Sequence, residues 1–324
     1  MRVAVCVCTC ERLELLRELL RGIAGLRFHK VHEPEIKVVV VDNGERASAK
    51  EACGAVRMPW PTRYVVEPRR GITYARNRAI AESGVVDFIA FIDDDEVPDA
   101  QWLDELLWTQ SKFAADVVSG PVFPKYGSEI PDWVKRGRFF DPPILTTGAS
   151  RNTCACNNVL IGTHVLERVP RFDDAFALSG AEDTNFFLQV KKSGYRIVCS
   201  QEAVVFESVP MKRASVFWML RREFQTGNGW VFCEAGIDGR LRMRVTRFLR
   251  ACGHVVIGSA KAALGTLRFE RVAVVHALQR VSLGAGMLAA LAGHRFLAYR
   301  TPGTESLKTD NAMVQKSVSK AMSL

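Results

Sequence analysis

Short apolar runs that alternate with helical patterns constrain this chain more than any other feature. VAVCVC near the start, IKVVVV at 36–41 and a run over 85–92 each have the length of a strand and are apolar on both faces. Between them, residues 12–25 place Leu15, Leu16, Leu19, Leu20 and Ile23 on one side of a helix, and 71–83 also reads as helical. Strands buried on both faces and separated by amphipathic helices indicate an α/β fold with a mostly parallel sheet. In such sheets ligands bind beyond the carboxyl ends of the strands, where Asp42 and Asp93 both fall. Further strands are expected at 63–66, 116–120, 157–161 and within 196–206, and further helices at 102–113, 181–193 and 215–224. The Pro-, Gly- and Trp-containing segment 121–156 reads as one long loop.

The alternating Cys6, Cys8 and Cys10, together with the Cys154 and Cys156 pair, could imitate a thiolate metal site. They lack the C-x₂₋₄-C knuckles and paired histidines of structural zinc, so small buried hydrophobes are the better reading. Nine cysteines, an odd number without framework spacing, favour a reducing cytoplasmic setting. Charges recurring from residue 11 to 21 leave no room for a secretory leader there.

Net charge is +9, unevenly spread: residues 240–324 hold 14 of the 44 Lys and Arg but three of the 35 Asp and Glu. Arg244, Arg247 and Arg250 recur at helical spacing, and uncharged stretches follow at 251–260 and 281–293. Both stretches fall short of the roughly 18–20 apolar residues that span a bilayer. They suit basic amphipathic helices lying on an anionic membrane surface, or helices covering the core. A nucleic-acid-binding tail would interleave its cations with aromatic residues, whereas here they alternate with Val, Leu, Ala and Gly. The expected organisation is a sheet domain over 1–240, a membrane-apposed helical region over 241–300 and a disordered tail over 301–324.

The chemistry concentrates in two acidic motifs. FIAFIDDDEVPDAQWL delivers Asp93, Asp94 and Asp95 at the end of a strand. Three adjacent carboxylates repel one another, and their hard oxygens suit Mg²⁺ or Mn²⁺; a solvated acidic turn is the plainer alternative. In LSGAEDTNFF, Glu182 and Asp183 open a helix, either as an N-terminal capping pair or as a base for an incoming hydroxyl.

VAVCVCTCERLELL, VVVVDNG, RRGITYARNRAI, AFIDDDEVPDAQWLDELL, LSGAEDTNFF and WMLRREFQTGN, in this order, resemble glycosyltransferase family 2, and most of all its bacterial exopolysaccharide branch of succinoglycan glucosyltransferases. The resemblance covers roughly residues 3–230. It implies a GT-A fold and inverting transfer of a hexose from a UDP-sugar to a saccharide acceptor, with a divalent cation. By the same resemblance, Thr9, Asp42 and Arg76 would surround the nucleobase and ribose. Asp93 with Asp94 would contact the nucleotide sugar, and Asp95 would hold the metal. Asp183, with Glu182 beside it, would be the general base, and Arg221 and Arg222 would face the pyrophosphate or acceptor. Asp42 could equally be a turn former before Asn43-Gly44, and Arg76, Arg221 and Arg222 solvated helix residues.

Relatives place a histidine where this chain has Phe206-Glu207. Either Glu207 supplies an oxygen ligand, or Asp95, diphosphate and water hold the cation. A lipid-linked acceptor on the cytoplasmic face of the inner membrane is the expected setting. The rivals are a sugar nucleotidyltransferase, which lacks its glycine-rich triphosphate loop here, a nucleic-acid-binding protein using the basic tail, and a non-catalytic nucleotide-sugar-binding protein on the same fold.

Overall fold

The structure is a computed structural model that describes residues 1–46, 48–237 and 241–298; the tail expected over 301–324 lies outside the described residues. In chain order the elements are β1 (Arg2–Thr9), α1 (Leu13–Ala24), β2 (Glu35–Asp42), α2 (Ala49–Gly54), β3 (Thr62–Val66), α3 (Ile72–Ser83), β4 (Phe88–Asp93), β5 (Glu96–Pro98), α4 (Trp102–Phe113) and β6 (Val117–Ser119). There follow β7 (Val122–Tyr126), α5 (Asp132–Gly137), β8 (Ser150–Arg151), β9 (Asn158–Gly162), α6 (Glu182–Lys192), β10 (Ile197–Cys199), β11 (Val205–Val209), α7 (Val216–Ile237), α8 (Leu241–Leu267) and α9 (Arg271–Leu291).

The chain divides into two compact units. The first comprises Met1–Lys125, Phe140–Ala177 and Phe186–Ser208. Among its described residues, eight strands form a sheet in the order β3-β2-β1-β4-β9-β6-β10-β8. The four strands β3, β2, β1 and β4 run parallel, while β9 runs antiparallel to both β4 and β6. A second, small sheet has the order β5-β11-β7.

The period of two explains why the apolar runs are strands. Val3, Val5 and Val7 face a core shared with Leu16, Leu19, Leu20 and Ile23 of α1 and with Trp102, Leu103 and Leu106 of α4. Ala4 and Cys6 point the other way, onto Ala75 and Ala79 of α3 and the phenylalanines Phe172, Phe186 and Phe187. Both faces are dry, as parallel strands require. Cys6 is fully buried, and burial raises its thiol pKa to about 12, so it acts as a small hydrophobe.

The segment 121–156 is not the single loop its composition suggests, for it carries β7, α5 and β8. The last two are too short to leave a periodic signal, and β8 exists only through its pairing with β10. Asn158 is buried and structural: its side chain accepts from Trp102 Nε1 at 2.8 Å and donates to the carbonyls of Pro121 and Ala203.

The second unit holds Tyr126–Phe139, Leu178–Asn185 and the chain from Val209 onward. It begins before the boundary expected at residue 240, because α7 extends to Ile237 and packs on α9. The approach is close: a Cβ on Gly227 would lie 2.1 Å from the Leu283 carbonyl oxygen, and one on Gly286 would lie 2.1 Å from that of Phe224. Ala251, Gly258 and Gly265 of α8 recur every seven residues and are buried, which gives α9 a flat seat on α8. The uncharged stretch at 281–293 is mostly the second half of α9, and this 21-residue helix is long and apolar enough to cross a membrane.

Candidate active site

Parallel register brings the first group of residues together. Thr9 pairs with Asp42 across β1 and β2, and Cys8 pairs with Asp93 across β1 and β4, so the polar strand ends share one edge of the sheet. Thr9 is buried, and its hydroxyl donates to Asp94 Oδ2 at 2.8 Å. Arg12, in the turn after β1, donates from Nη1 to Asp94 Oδ1 and to Asp95 Oδ2, each at 2.9 Å. One guanidinium therefore spans two carboxylates whose side chains are only 7% and 13% exposed.

Asp93 is more open, and Arg76 Nη2 lies 3.5 Å from its Oδ1. Arg76 itself is buried on α3, with its guanidinium 5.8 Å from the Phe172 ring centroid. It is a desolvated cation aimed at the acidic edge, not a solvated helix residue.

Carboxylates accumulate further beneath this edge. Glu96 is buried, and its Oε2 accepts the Asp93 amide at 3.0 Å. Burial raises the Glu96 pKa well above the ordinary carboxylate range, and the charges of Asp93, Glu207 and Asp95 add to the effect. Glu207 stands directly opposite Glu96 in the antiparallel β5–β11 pair. Like charges across a strand pair are unfavourable unless a cation or proton intervenes. Burial likewise raises Asp94 to about 6, against the lowering influence of Arg12 and Thr9.

The donors along this edge are hard oxygens, the type that Mg²⁺ or Mn²⁺ prefers, with the Arg12 guanidinium bridging Asp94 and Asp95 and that of Arg76 beside Asp93. Among the described residues, no three His, Cys, Asp or Glu groups converge as a ready cage. An ion held through Asp95 would take its other ligands from diphosphate and water.

Asp42 has a different environment. It is fully buried; Oδ1 accepts the Gly44 amide, and Oδ2 accepts the Ala49 amide and the Tyr64 hydroxyl, each at 2.9 Å. Asn43 continues the framework, donating to the carbonyls of Glu67 and Arg69 at 2.7 Å and accepting the Gly71 amide at 3.0 Å. Gly71 has φ 137°, and a Cβ there would lie 2.9 Å from the Ala177 carbonyl oxygen. The loop that opens α3 thus hangs on the turn after β2.

In the second unit, Glu182 and Asp183 open α6. Glu182 is buried and Asp183 half-buried, and Asp183 Oδ1 accepts the Thr184 amide at 2.6 Å. Gly180 and Ala181 both have positive φ, 73° and 67°, which turns the chain sharply into the helix. Cys233 of α7 donates to the Ala181 carbonyl at 3.3 Å; burial, with Asp183 and Glu182 nearby, raises its thiol pKa well above normal. Arg295 Nη2 donates to Ser179 Oγ at 3.3 Å. Arg221 and Arg222 are exposed on α7, and the Arg221 guanidinium lies 5.4 Å from the Phe296 ring centroid.

Sequence reasoning missed Arg12 and Glu96. Glu96 completes the DDDE run and could have been weighed with it; Arg12 has no signal beyond its place in the turn after β1. Trp133 and Phe139 pack against each other edge to face at 5.6 Å. Arg271 sits 4.2 Å over the Trp133 ring.

Residues 4–168 match the model of glycosyl transferase family 2. The succinoglycan biosynthesis protein ExoM of Rhizobium meliloti is 33% identical over 301 residues, covering 90% of this chain and 94% of that protein. A glucosyl-dolichyl phosphate glucuronosyltransferase of Haloferax volcanii is 25% identical and covers 70% of this chain and 75% of its own. Among solved structures, a mannosyltransferase of Pyrobaculum calidifontis in complex with GDP-Man and Mn²⁺ aligns with a TM-score of 0.54. It is 20% identical, and the match covers 99% of this chain and 83% of that one. The architecture is the GT-A fold.

Proposed function

This chain belongs to glycosyl transferase family 2, and on that footing we propose that it moves a hexose from a UDP-sugar to a saccharide acceptor, with inversion. The acceptor is a growing chain on a polyprenyl diphosphate carrier in bacterial surface or exopolysaccharide synthesis. The names of the Rhizobium and Haloferax relatives, one in succinoglycan biosynthesis and one acting with a dolichyl phosphate, support that setting.

The observation that carries the reading is the acidic edge at the end of β4, where Arg12 bridges Asp94 and Asp95 beside Thr9 and Arg76. In this reading Thr9, Asp42 and Arg76 form and support the nucleobase and ribose pocket. Asp93 and Asp94 meet the nucleotide sugar. Asp95, with Glu207 in reserve, would hold Mn²⁺ or Mg²⁺, which supplies charge neutralisation for the departing diphosphate. Arg221 and Arg222 offer bidentate contacts to phosphate oxygens.

Asp183, with Glu182 at its side, accepts the proton of the acceptor hydroxyl. The hydroxyl oxygen attacks the anomeric carbon opposite the diphosphate, a new C–O bond forms, and the old one breaks with its electron pair leaving on UDP. Asp183→Asn should abolish transfer while leaving UDP binding in the presence of Mn²⁺ within about twofold of the parent. Transfer at the parental rate would refute the assignment. A donor screen with UDP-, GDP- and dTDP-sugars tests the base.

A membrane-surface location has support in α8. Leu241, Val245, Phe248, Leu249, Val256 and Leu267 are 49–78% exposed, and their positions fall within an arc of roughly 100°. Such a face suits contact with a membrane surface; Arg250, Lys261 and Arg268 fall on the other side of the helix.

A further inference from the structure

A groove of about 410 Å³, open to solvent, lies at the turn between α8 and α9 within the second unit. That volume lies in the roughly 300–1,000 Å³ range of sites for small ligands. Its polar lining is Lys261 from the last turns of α8, Arg268 and Glu270 from the turn, and His276 and Arg280 from α9; Ala277, which is buried, contributes to the apolar floor.

The charge of this lining is unbalanced. Lys261, Arg268 and Arg280 form no ion pair among the described residues, and Glu270 is the one carboxylate beside them. Arg280 Nε is buried and has no hydrogen-bond partner. α9 begins here as well, and its N-cap, Glu270, makes no side-chain capping bond to the first amides. Those amides and the helix dipole add partial positive charge to the same end of the groove. The opposing carbonyl end of α8 is already occupied, since Phe269 and Glu270 donate their amides to Thr266 and Gly265 at 3.1 and 2.9 Å.

His276 is held in place by other bonds. Its Nε2 lies 2.9 Å from the Gly137 carbonyl oxygen, and its ring packs 4.4 Å from that of Phe139. α5 thereby buttresses the first half of α9. At the other edge, Leu264, Leu267 and Phe269 are 47%, 78% and 96% exposed. A cationic pocket with an apolar rim matches a ligand that carries phosphate at one end and hydrocarbon at the other.

We propose that this groove binds the phosphate or diphosphate headgroup of a membrane lipid, its acyl or prenyl chain running along Leu267 and Phe269. The proposal rests on the reading above for its lipid-linked setting, and it names the residues that would anchor the protein beside that acceptor.

The test uses the full chain and measures binding to phosphatidylcholine vesicles with and without phosphatidylglycerol. Neutralising the pocket with Lys261→Gln, Arg268→Gln and Arg280→Gln should weaken binding to the anionic vesicles about 100-fold. A charge-matched control, Arg136→Gln with Lys212→Gln and Arg242→Gln, should weaken it less than about tenfold. Equal losses would mean that the general field binds the membrane, and would overturn the site. Ala273→Trp fills the groove without changing charge and should reproduce the pocket phenotype. Parental binding by that variant would also overturn the site, even if the triple variant failed to fold.

Inorganic pyrophosphate separates the two sources of phosphate. It should raise the melting temperature of the parent and compete with anionic vesicles. Stabilisation by pyrophosphate without any preference for anionic vesicles would refute the lipid assignment. The vesicle and pyrophosphate readouts do not use donor turnover, so the transferase reading can fail while the site stands. UDP-sugar hydrolysis by the pocket variants should remain parental.

Discussion

Asp42→Asn is the most informative single perturbation of the sheet edge, because it separates support of the donor pocket from contact with the donor. The carboxylate is fully buried and takes three donors: the Gly44 amide on Oδ1, and the Ala49 amide and Tyr64 hydroxyl on Oδ2. The best asparagine rotamer leaves its oxygen at the Oδ2 position and keeps two of these bonds. Its NH₂ then opposes the Gly44 N–H, so one charge-assisted bond worth about 2 kcal/mol is lost and a donor is stranded at about 1–3 kcal/mol. The two surviving bonds also weaken, while removal of a buried charge gives some of this back. The net cost is about 3 kcal/mol, a large fraction of the roughly 5–15 kcal/mol of a typical domain. For a unit of this size that lowers the melting temperature by about 6–12 °C. Tyr64→Phe should cost about 1 kcal/mol. The double variant should cost measurably less than the sum, since the two residues share a bond. Thermal denaturation followed by circular dichroism gives all three values. A melting temperature within about 2 °C of the parent, with UDP affinity lost, would refute this account and make Asp42 a direct donor ligand.

Arg12→Gln removes the resident cation from Asp94 and Asp95. The Arg12 side chain is 45% exposed, so each ion pair contributes about 1 kcal/mol or less, and stability should change little. Mn²⁺ affinity without nucleotide, read by electron paramagnetic resonance, should rise up to about fivefold as the competitor is removed; a fall would show that Arg12 organises the carboxylates for the metal. In the helical unit, Gly286→Ala drives a Cβ against the Phe224 carbonyl oxygen and should destabilise by about 3 kcal/mol. Gly236→Ala, which meets nothing within 4 Å, should be neutral or stabilise by up to about 1 kcal/mol. Equal melting temperatures for the two variants would refute the close packing of α7 on α9.

Local pattern carried much of the fold. The strands β1, β2 and β4 were legible because each is buried on both faces and ends in polar residues, which makes the run and its carboxyl end visible without knowledge of neighbours. α1 was legible from its leucine stripe, and the acidic motifs from their adjacency in the chain. β8 and α5 were not, because a two-residue strand and a six-residue helix have no period to read. α7 was expected to stop near residue 224; its continuation to Ile237 follows from packing against α9 through glycines that a propensity argument counts as breakers.

The candidate site divides in the same way. Asp93, Asp94 and Asp95 are contiguous, and the sequence alone determined that they stand together at a strand end. Only the tertiary structure decided that Arg12 closes over two of them, that Arg76 is desolvated beside the third, and that Asp42 is spent on its own turn. Glu207 faces Glu96 solely through the antiparallel register of β5 and β11, more than a hundred residues apart in the chain. The groove at the α8–α9 turn needed both helices before its three cations could share one space. The physical reason is common to all of these. Burial and alternation are properties of a segment and leave their period in the chain, whereas an ion pair, a register and a groove belong to two segments and exist only after the backbone has brought them together.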